Sequence, residues 1–156
     1  MQKFYSIVVS MVFVFALMLL NCGSGANTNS NVTETKIDKE NKKIYTTTTL
    51  TIKEAQDDLA STIENLIAKS INECIKPKSK DNENKFNETV NQIIQEKAKN
   101  LAMSAEQTKN ADDKIVLTIT EEKINTTIDD IITEVKGKVE VEEIQTSSHK
   151  GSKIIW

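Results

Sequence analysis

Apolar residues recur every three or four positions in three segments of the chain, which is the spacing of one face of an α-helix. The segments run from about residue 52 to 75, from about 84 to 107 and from about 121 to 136. We therefore predict three amphipathic helices. Their apolar stripes are Leu59, Ile63, Leu66, Ser70 or Ile71, and Cys74; then Phe86, Val90, Ile93, Ile94, Lys97 or Ala98, and Leu101; then Ile124, Ile128, Ile131, Ile132 and Val135.

The ends of these helices carry recognisable signals. Thr51 is followed three residues later by Glu54, which fits a capping box at the start of the first helix. Pro77 is expected to end that helix. Gly137 is expected to hold the left-handed position after the third helix.

Between the helices, short segments rich in Thr, Val and Ile favour strands. These segments are residues 44–52, 114–120, 139–144 and 154–156, with a turn at 149–151 before the last. The pattern predicts an α+β fold in which three amphipathic helices pack with a short sheet. The alternative is a mainly α-helical bundle in which these segments are extended linkers.

Two parts of the chain resemble each other weakly. Residues 50–54, LTIKE, resemble residues 117–121, LTITE, and residues 62–67, TIENLI, resemble residues 127–132, TIDDII. A true duplication produces such a pattern, and so does a strand that runs into a helix at two places. Both interpretations predict a strand followed by a helix in each part.

The N-terminal segment has the order of a signal peptide. Lys3 precedes seventeen uncharged, mostly apolar residues, 4–20, and Cys22 and small residues follow. A membrane-spanning helix is the alternative, because seventeen residues lie at the lower limit for spanning. Leu19, three residues before Cys22, makes the segment resemble the lipobox of bacterial lipoproteins, from which Asn21 departs. The resemblance implies cleavage before Cys22 and attachment of lipid to it.

The composition divides the chain into three parts. Residues 1–21 are interpreted as a removed lipoprotein signal peptide, residues 22–43 as a disordered polar tether, and residues 44–156 as a single globular domain. Beyond residue 21 the chain carries 19 Lys, no Arg and 23 acidic residues, a net charge of 19 − 23 = −4. This charge argues against nucleic acid as a partner, because phosphate binding requires a basic surface.

Few residues suggest chemistry, and we predict that the protein is not an enzyme and has neither a catalytic nor a metal site nor a cofactor. Cys74 lies on the first apolar stripe and is read as a small buried hydrophobe, with an intermolecular disulfide as the alternative. His149, the single histidine, is read as a turn residue. Glu140, Glu142 and Glu143, with Asp129 and Asp130, are read as solvated faces rather than a loose divalent site.

Two features, one in a loop and one at the C-terminal end of the sequence, are candidate binding sites for a partner. Lys76, Lys78 and Lys80 surround Pro77 and form either a solvated loop or a small patch for an anionic ligand. Trp156 is expected to dock on the core, with a partner-binding tip as the alternative.

The whole arrangement resembles the small outer-surface lipoproteins of spirochaetes, through the lipobox around Cys22, the polar tether and the body rich in Lys, Asn, Ile and Thr. This resemblance implies a palmitate-bearing surface antigen on the cell outer membrane, held there by its N-terminal lipid, that binds a host or vector protein or glycan. The alternative is an envelope lipoprotein that faces the periplasm and has a structural or assembly role. The sequence predicts no oligomeric state.

Overall fold

A computed structural model describes residues 32–144 and 153–156, which form six short strands and three long helices. The strands are β1 (Thr33–Asp38), β2 (Lys43–Thr48), β3 (Ile75–Pro77), β4 (Glu106–Lys109), β5 (Ile115–Thr120) and β6 (Val141–Glu143). The helices are α1 (Ile52–Cys74), α2 (Glu83–Met103) and α3 (Glu121–Lys138), and a 3-10 turn, Lys80–Asn82, precedes α2. The predicted α+β class is confirmed. The bundle alternative is wrong, because the Thr-rich segment pairs as a strand.

Four strands form an antiparallel sheet in the order β1-β2-β5-β4, and β3 and β6 form a separate antiparallel ribbon. In the centre of the sheet Ile44 lies opposite Ile119, and Thr46 lies opposite Leu117. These residues are buried, whereas the residues that alternate with them in β2 are partly exposed. Since successive side chains of a strand point to opposite faces, one face of the sheet lies on the core.

The three predicted apolar stripes form the core. In α1, Leu59, Ile63 and Ile67 are fully buried, and α1 packs against β2. Helix α2 packs against both α1 and α3. The predicted capping box is present, because the Glu54 N–H donates to the Thr51 hydroxyl (3.3 Å) and the Thr51 N–H donates to the Glu54 carboxylate (3.1 Å).

The order strand, strand, helix, strand occurs twice. We call β1, β2, α1 and β3 the first unit and β4, β5, α3 and β6 the second unit; α2 lies between them in the chain. The two central strands, β2 and β5, pair with each other, and so do the two last strands, β3 and β6. The predicted strand followed by a helix is confirmed in both parts, and the buried positions of the helices correspond at a separation of 65 residues, as in Ile63 and Ile128.

The predicted tether extends too far along the chain. Residues 33–43 lie in strand β1, the hairpin turn and the start of β2, so the prediction of disorder up to residue 43 is wrong for them. The polar composition concealed a strand whose alternate residues Thr33 and Thr35 bond to buried hydroxyls of β2. The earlier part of the predicted tether, residues 22–31, lies outside the described residues.

Three further predictions need correction. Helix α2 ends at Met103, because residues 106–109 pair with β5 as strand β4. Gly137 lies inside the last turn of α3 and not after it, since Val139, in extended conformation, caps that helix. Among the last residues described, 153–156 do not form a strand; the turn predicted at 149–151 lies outside the described residues.

Candidate functional site

The three lysines of the predicted patch lie in different parts of the structure. Lys76 lies in the middle of β3, and its ammonium pairs with the carboxylate of Glu142 on β6 (3.3 Å). Lys78 follows β3, and its backbone N–H donates to the Glu140 carbonyl (3.1 Å). Lys80 starts the 3-10 turn. All three side chains are exposed, but the charge of Lys76 is balanced by its partner on the ribbon.

Beside the ribbon lies a shallow cavity of about 430 Å³ that is open to solvent. Lys78 contributes to its wall, whereas Lys76 and Lys80 do not. The lining residues are Lys78, Lys136, Val139, Glu140, Val141 and Glu143. Because two lysines and two glutamates share this wall, the cavity has no excess of positive charge for an anion.

Within the cavity the Lys136 ammonium hydrogen-bonds to the Glu143 carboxylate. That hydrogen bond, and the positive charge behind it, hold the pKa of Glu143 below its ordinary value. The pair is exposed to water, so its contribution to stability is small. Of the basic groups in this wall, Lys78 is the one without an ion pair among the described residues.

The acidic residues of this region do not converge on one point. Glu142 pairs with Lys76, Glu143 with Lys136, and Asp129 with Lys153. In residues 32–144 and 153–156, no group of three or more potential ligands is arranged to hold a metal ion. Glu142, Glu143 and Asp129 are exposed, and each has a lysine partner.

Cys74 is partly buried and packs against the core, although it is less enclosed than its place on the apolar stripe indicated. Burial raises the pKa of its thiol above the ordinary value. The neutral thiol is therefore the dominant form near neutral pH. The alternative of a disulfide between two chains stays a prediction. Cys22 and His149 lie outside the described residues.

The C-terminal residues dock along two helices. Ile154 is buried, and the Ile155 N–H donates to the Ser70 hydroxyl of α1 (3.1 Å). The indole N–H of Trp156 reaches the Glu121 carboxylate of α3 at 3.5 Å. Since Trp156 is only partly exposed and packs against the core, its predicted docking is confirmed.

The sequence does not predict the outer sheet face, which we define as the side chains of Lys36, Tyr45, Thr47, Val116 and Thr118. They alternate with the buried residues of the sheet, so they lie on its face away from the helices. Tyr45 lies between Lys36 on one side and Thr118 on the other. The alternation of residues 43–48 carries the signal for this face, but by itself it predicts only a strand, because it does not show which segments pair with that strand.

No family model matches this chain, and neither a curated protein nor a solved structure is significantly similar to it. Among the residues that the structure describes, the helices are too short or too polar to cross a lipid bilayer.

Proposed function

We propose that the protein is a lipid-anchored lipoprotein of the bacterial outer surface that binds a host or vector macromolecule and catalyses no reaction. The observation that carries this proposal is the position of Cys22 directly after the uncharged run of residues 4–20, with Leu19 three residues before it. A cysteine at the exit of a signal segment supplies the thiol to which a lipid is attached.

The physics of acyl chains supports a stable anchor at this position. Each buried CH₂ group contributes roughly 0.8 kcal/mol, and a single chain binds a membrane only marginally. Lipoprotein processing places two or three chains on one cysteine, which is enough for lasting attachment. Along the chain, about ten residues separate Cys22 from the start of β1 at Thr33.

Lipid attachment is tested by metabolic labelling of cells that express the full chain with a fatty-acid probe. The chain should carry label and partition into detergent, and the Cys22→Ser form should lose both properties. Cys74→Ser is the matched control and should keep the label. A parent chain without label contradicts the lipoprotein proposal.

Surface display is tested by adding protease to intact cells. Display predicts that residues 32–156 are digested before lysis, whereas a periplasmic protein of known location is protected. Protection of this chain until lysis contradicts surface display and favours the periplasm-facing alternative.

Binding is tested with the full chain in detergent against immobilised matrix proteins, sulfated glycans and serum proteins. If the lysine patch takes part, Lys78→Ala/Lys80→Ala should weaken binding more than Lys76→Ala, because the charge of Lys76 is balanced by Glu142. Unchanged binding in both variants contradicts a role for the patch. Absence of binding to all three classes contradicts the proposed host-binding function.

A further inference from the structure

Strand β1 has one edge that no strand covers among the described residues. It pairs with β2 on one side and lies at the end of the sheet order β1-β2-β5-β4. Such an edge presents backbone N–H and C=O groups that another strand can bond. The other sheet edge, β4, is available in the same way but is shorter, with four residues against six.

The sequence of β1 is complementary to itself. Two antiparallel copies of one strand related by a twofold axis place some residue opposite its own copy. With Thr35 on that axis, Glu34 of each copy lies opposite Lys36 of the other. Opposite charges at directly facing positions stabilise an antiparallel pair. In the single chain the two groups already form an exposed ion pair at 3.0 Å. Glu34 pairs with Thr47 and Lys36 with Tyr45, so both side chains lie on the side of the sheet away from the helices.

Strand β4 lacks this property. A twofold axis at Gln107 places Glu106 opposite Thr108, and an axis at Thr108 places Gln107 opposite Lys109. Neither register brings opposite charges together. Charge complementarity therefore selects β1 as the edge that fits a second copy.

Exposed apolar side chains also accumulate at β1. Four large hydrophobic residues are exposed in the described part of the chain, and two of them lie on this strand or directly before it: Val32, 51% exposed, and Ile37, 41% exposed. With Thr35 on the axis, Ile37 lies opposite Thr33 of the second copy, on the face that carries the helices. Pairing then covers part of its exposed surface.

We propose that two copies of this chain associate through antiparallel pairing of their β1 strands about Thr35, which joins the two sheets into one of eight strands. The interface is short, so the dimer is weak and forms where the chain is concentrated. The proposal concerns the domain alone and does not depend on the lipid anchor.

Cysteine cross-linking in intact cells that express the full chain tests the register. Under mild oxidation Thr35→Cys should form a disulfide-linked dimer, because the two copies face each other across the axis. Thr33→Cys is the matched control, because Thr33 and Thr35 each form a hydrogen bond of 2.7 Å with a threonine hydroxyl of β2, and either change removes such a bond. Two copies of Thr33 are roughly 13 Å apart along the ladder, beyond the reach of a disulfide.

Charge reversal tests the pairing with the same readout. In the Thr35→Cys background, Glu34→Lys alone and Lys36→Glu alone should each reduce cross-linked dimer about tenfold, while the double reversal should restore it. Co-expression of the two single reversals with different tags should give the mixed dimer. A thermal melt of each purified full chain in detergent checks that it remains folded.

Two results overturn the proposal. One is Thr35→Cys that cross-links no more than Thr33→Cys or the parent chain. The other is folded single reversals that cross-link as well as the parent background, because the facing charges would then not be in contact.

Discussion

The two units have the same order of elements but opposite chemistry in their central strands. In β2 of the first unit, the buried positions beside Ile44 are Thr46 and Thr48, both without exposed surface. In β5 of the second unit, the buried positions are Leu117 and Ile119. One unit therefore buries hydroxyl groups where the other buries only hydrocarbon.

This difference determines whether the neighbouring edge strand must supply hydrogen-bond partners to the central strand. The Thr35 hydroxyl bonds to that of Thr46, and the Thr33 hydroxyl bonds to that of Thr48, both at 2.7 Å. An unsatisfied buried hydroxyl is costly, so β1 completes the core of the first unit. All four residues of β4, by contrast, are exposed, and β5 needs no polar partner from it. The edge strand thus supplies partners for buried hydroxyls of the core in one unit, whereas in the other unit it is fully exposed.

The helices show the same contrast. Ser70 of α1 is fully buried and corresponds to Val135 of α3 at the separation of 65 residues. The Ser70 hydroxyl donates to the Leu66 carbonyl (2.8 Å) and accepts from the Ile155 N–H. Ser70 in the first unit therefore binds the backbone of the C-terminal residues. Val135, the corresponding residue of the second unit, has no side-chain group that can form such a hydrogen bond.

The largest expected effect tests whether the two helices are equivalent in the core. Ile63→Ala and Ile128→Ala should each lower the free energy of unfolding by about 2–5 kcal/mol, because both side chains are fully buried and each change leaves a cavity. Urea denaturation of the full chain measures both. Ile52→Ala, at a position 37% exposed, is the control and should cost much less. A difference of several kcal/mol between the two core variants contradicts their equivalence.

The next effect concerns the partly buried hydroxyl pair of Thr35 and Thr46. Thr46→Val should cost about 1–3 kcal/mol, because it leaves the Thr35 hydroxyl without its partner. Thr35→Val/Thr46→Val should recover part of that loss, since no orphaned hydroxyl remains. Denaturation of the single and double variants gives the coupling between the two positions. Additive losses would show that the pair does not connect β1 to the core.

The helices and central strands could be predicted because their signals are local. The spacing of Leu59, Ile63 and Leu66 and the capping residues Thr51 and Glu54 lie within one helix, and each is visible without knowledge of its neighbours. The same holds for the alternation of Ile115, Leu117 and Ile119 in β5. For these elements the apolar face predicts both the type of structure and the side that is buried.

The edge strands could not be predicted from local pattern. Residues 33–38, TETKID, and 106–109, EQTK, contain few apolar residues, and each forms a strand because a neighbouring strand supplies its hydrogen bonds. For the same reason, the outer sheet face and the Lys76–Glu142 pair could not be predicted, because both depend on the pairing of segments that are distant in the sequence. The position of Gly137 could not be predicted because glycine also occurs inside helices, and the backbone becomes extended only at Val139.

The starts of the two helices should also differ in sensitivity. Thr51→Ala should cost about 0.5–2 kcal/mol, because its hydroxyl caps α1. Thr120→Ala should cost little, since its side chain makes no capping bond, and the Glu121 N–H at the start of α3 donates to the Lys42 carbonyl instead (2.8 Å). Thermal unfolding of both variants measures the difference. Equal losses would mean that the capping bond of Thr51 contributes nothing beyond the common effect of removing a threonine.

The smallest effect concerns pH and the same two helix starts. Hydrogen bonds from the backbone N–H and hydroxyl of Thr51 lower the pKa of Glu54 below its ordinary value of 4.5. A carboxyl group with a lowered pKa stabilises the fold above its unfolded pKa, and this stabilisation is lost as the pH falls through the folded pKa. Glu54→Gln keeps an acceptor for the capping box but does not titrate. Its unfolding free energy should therefore fall less between pH 5 and pH 3 than that of the parent, as measured by urea denaturation at each pH. Glu122→Gln, in the first turn of α3 without a capping box, is the matched control. If the two variants flatten the pH dependence equally, the capping box is not its source.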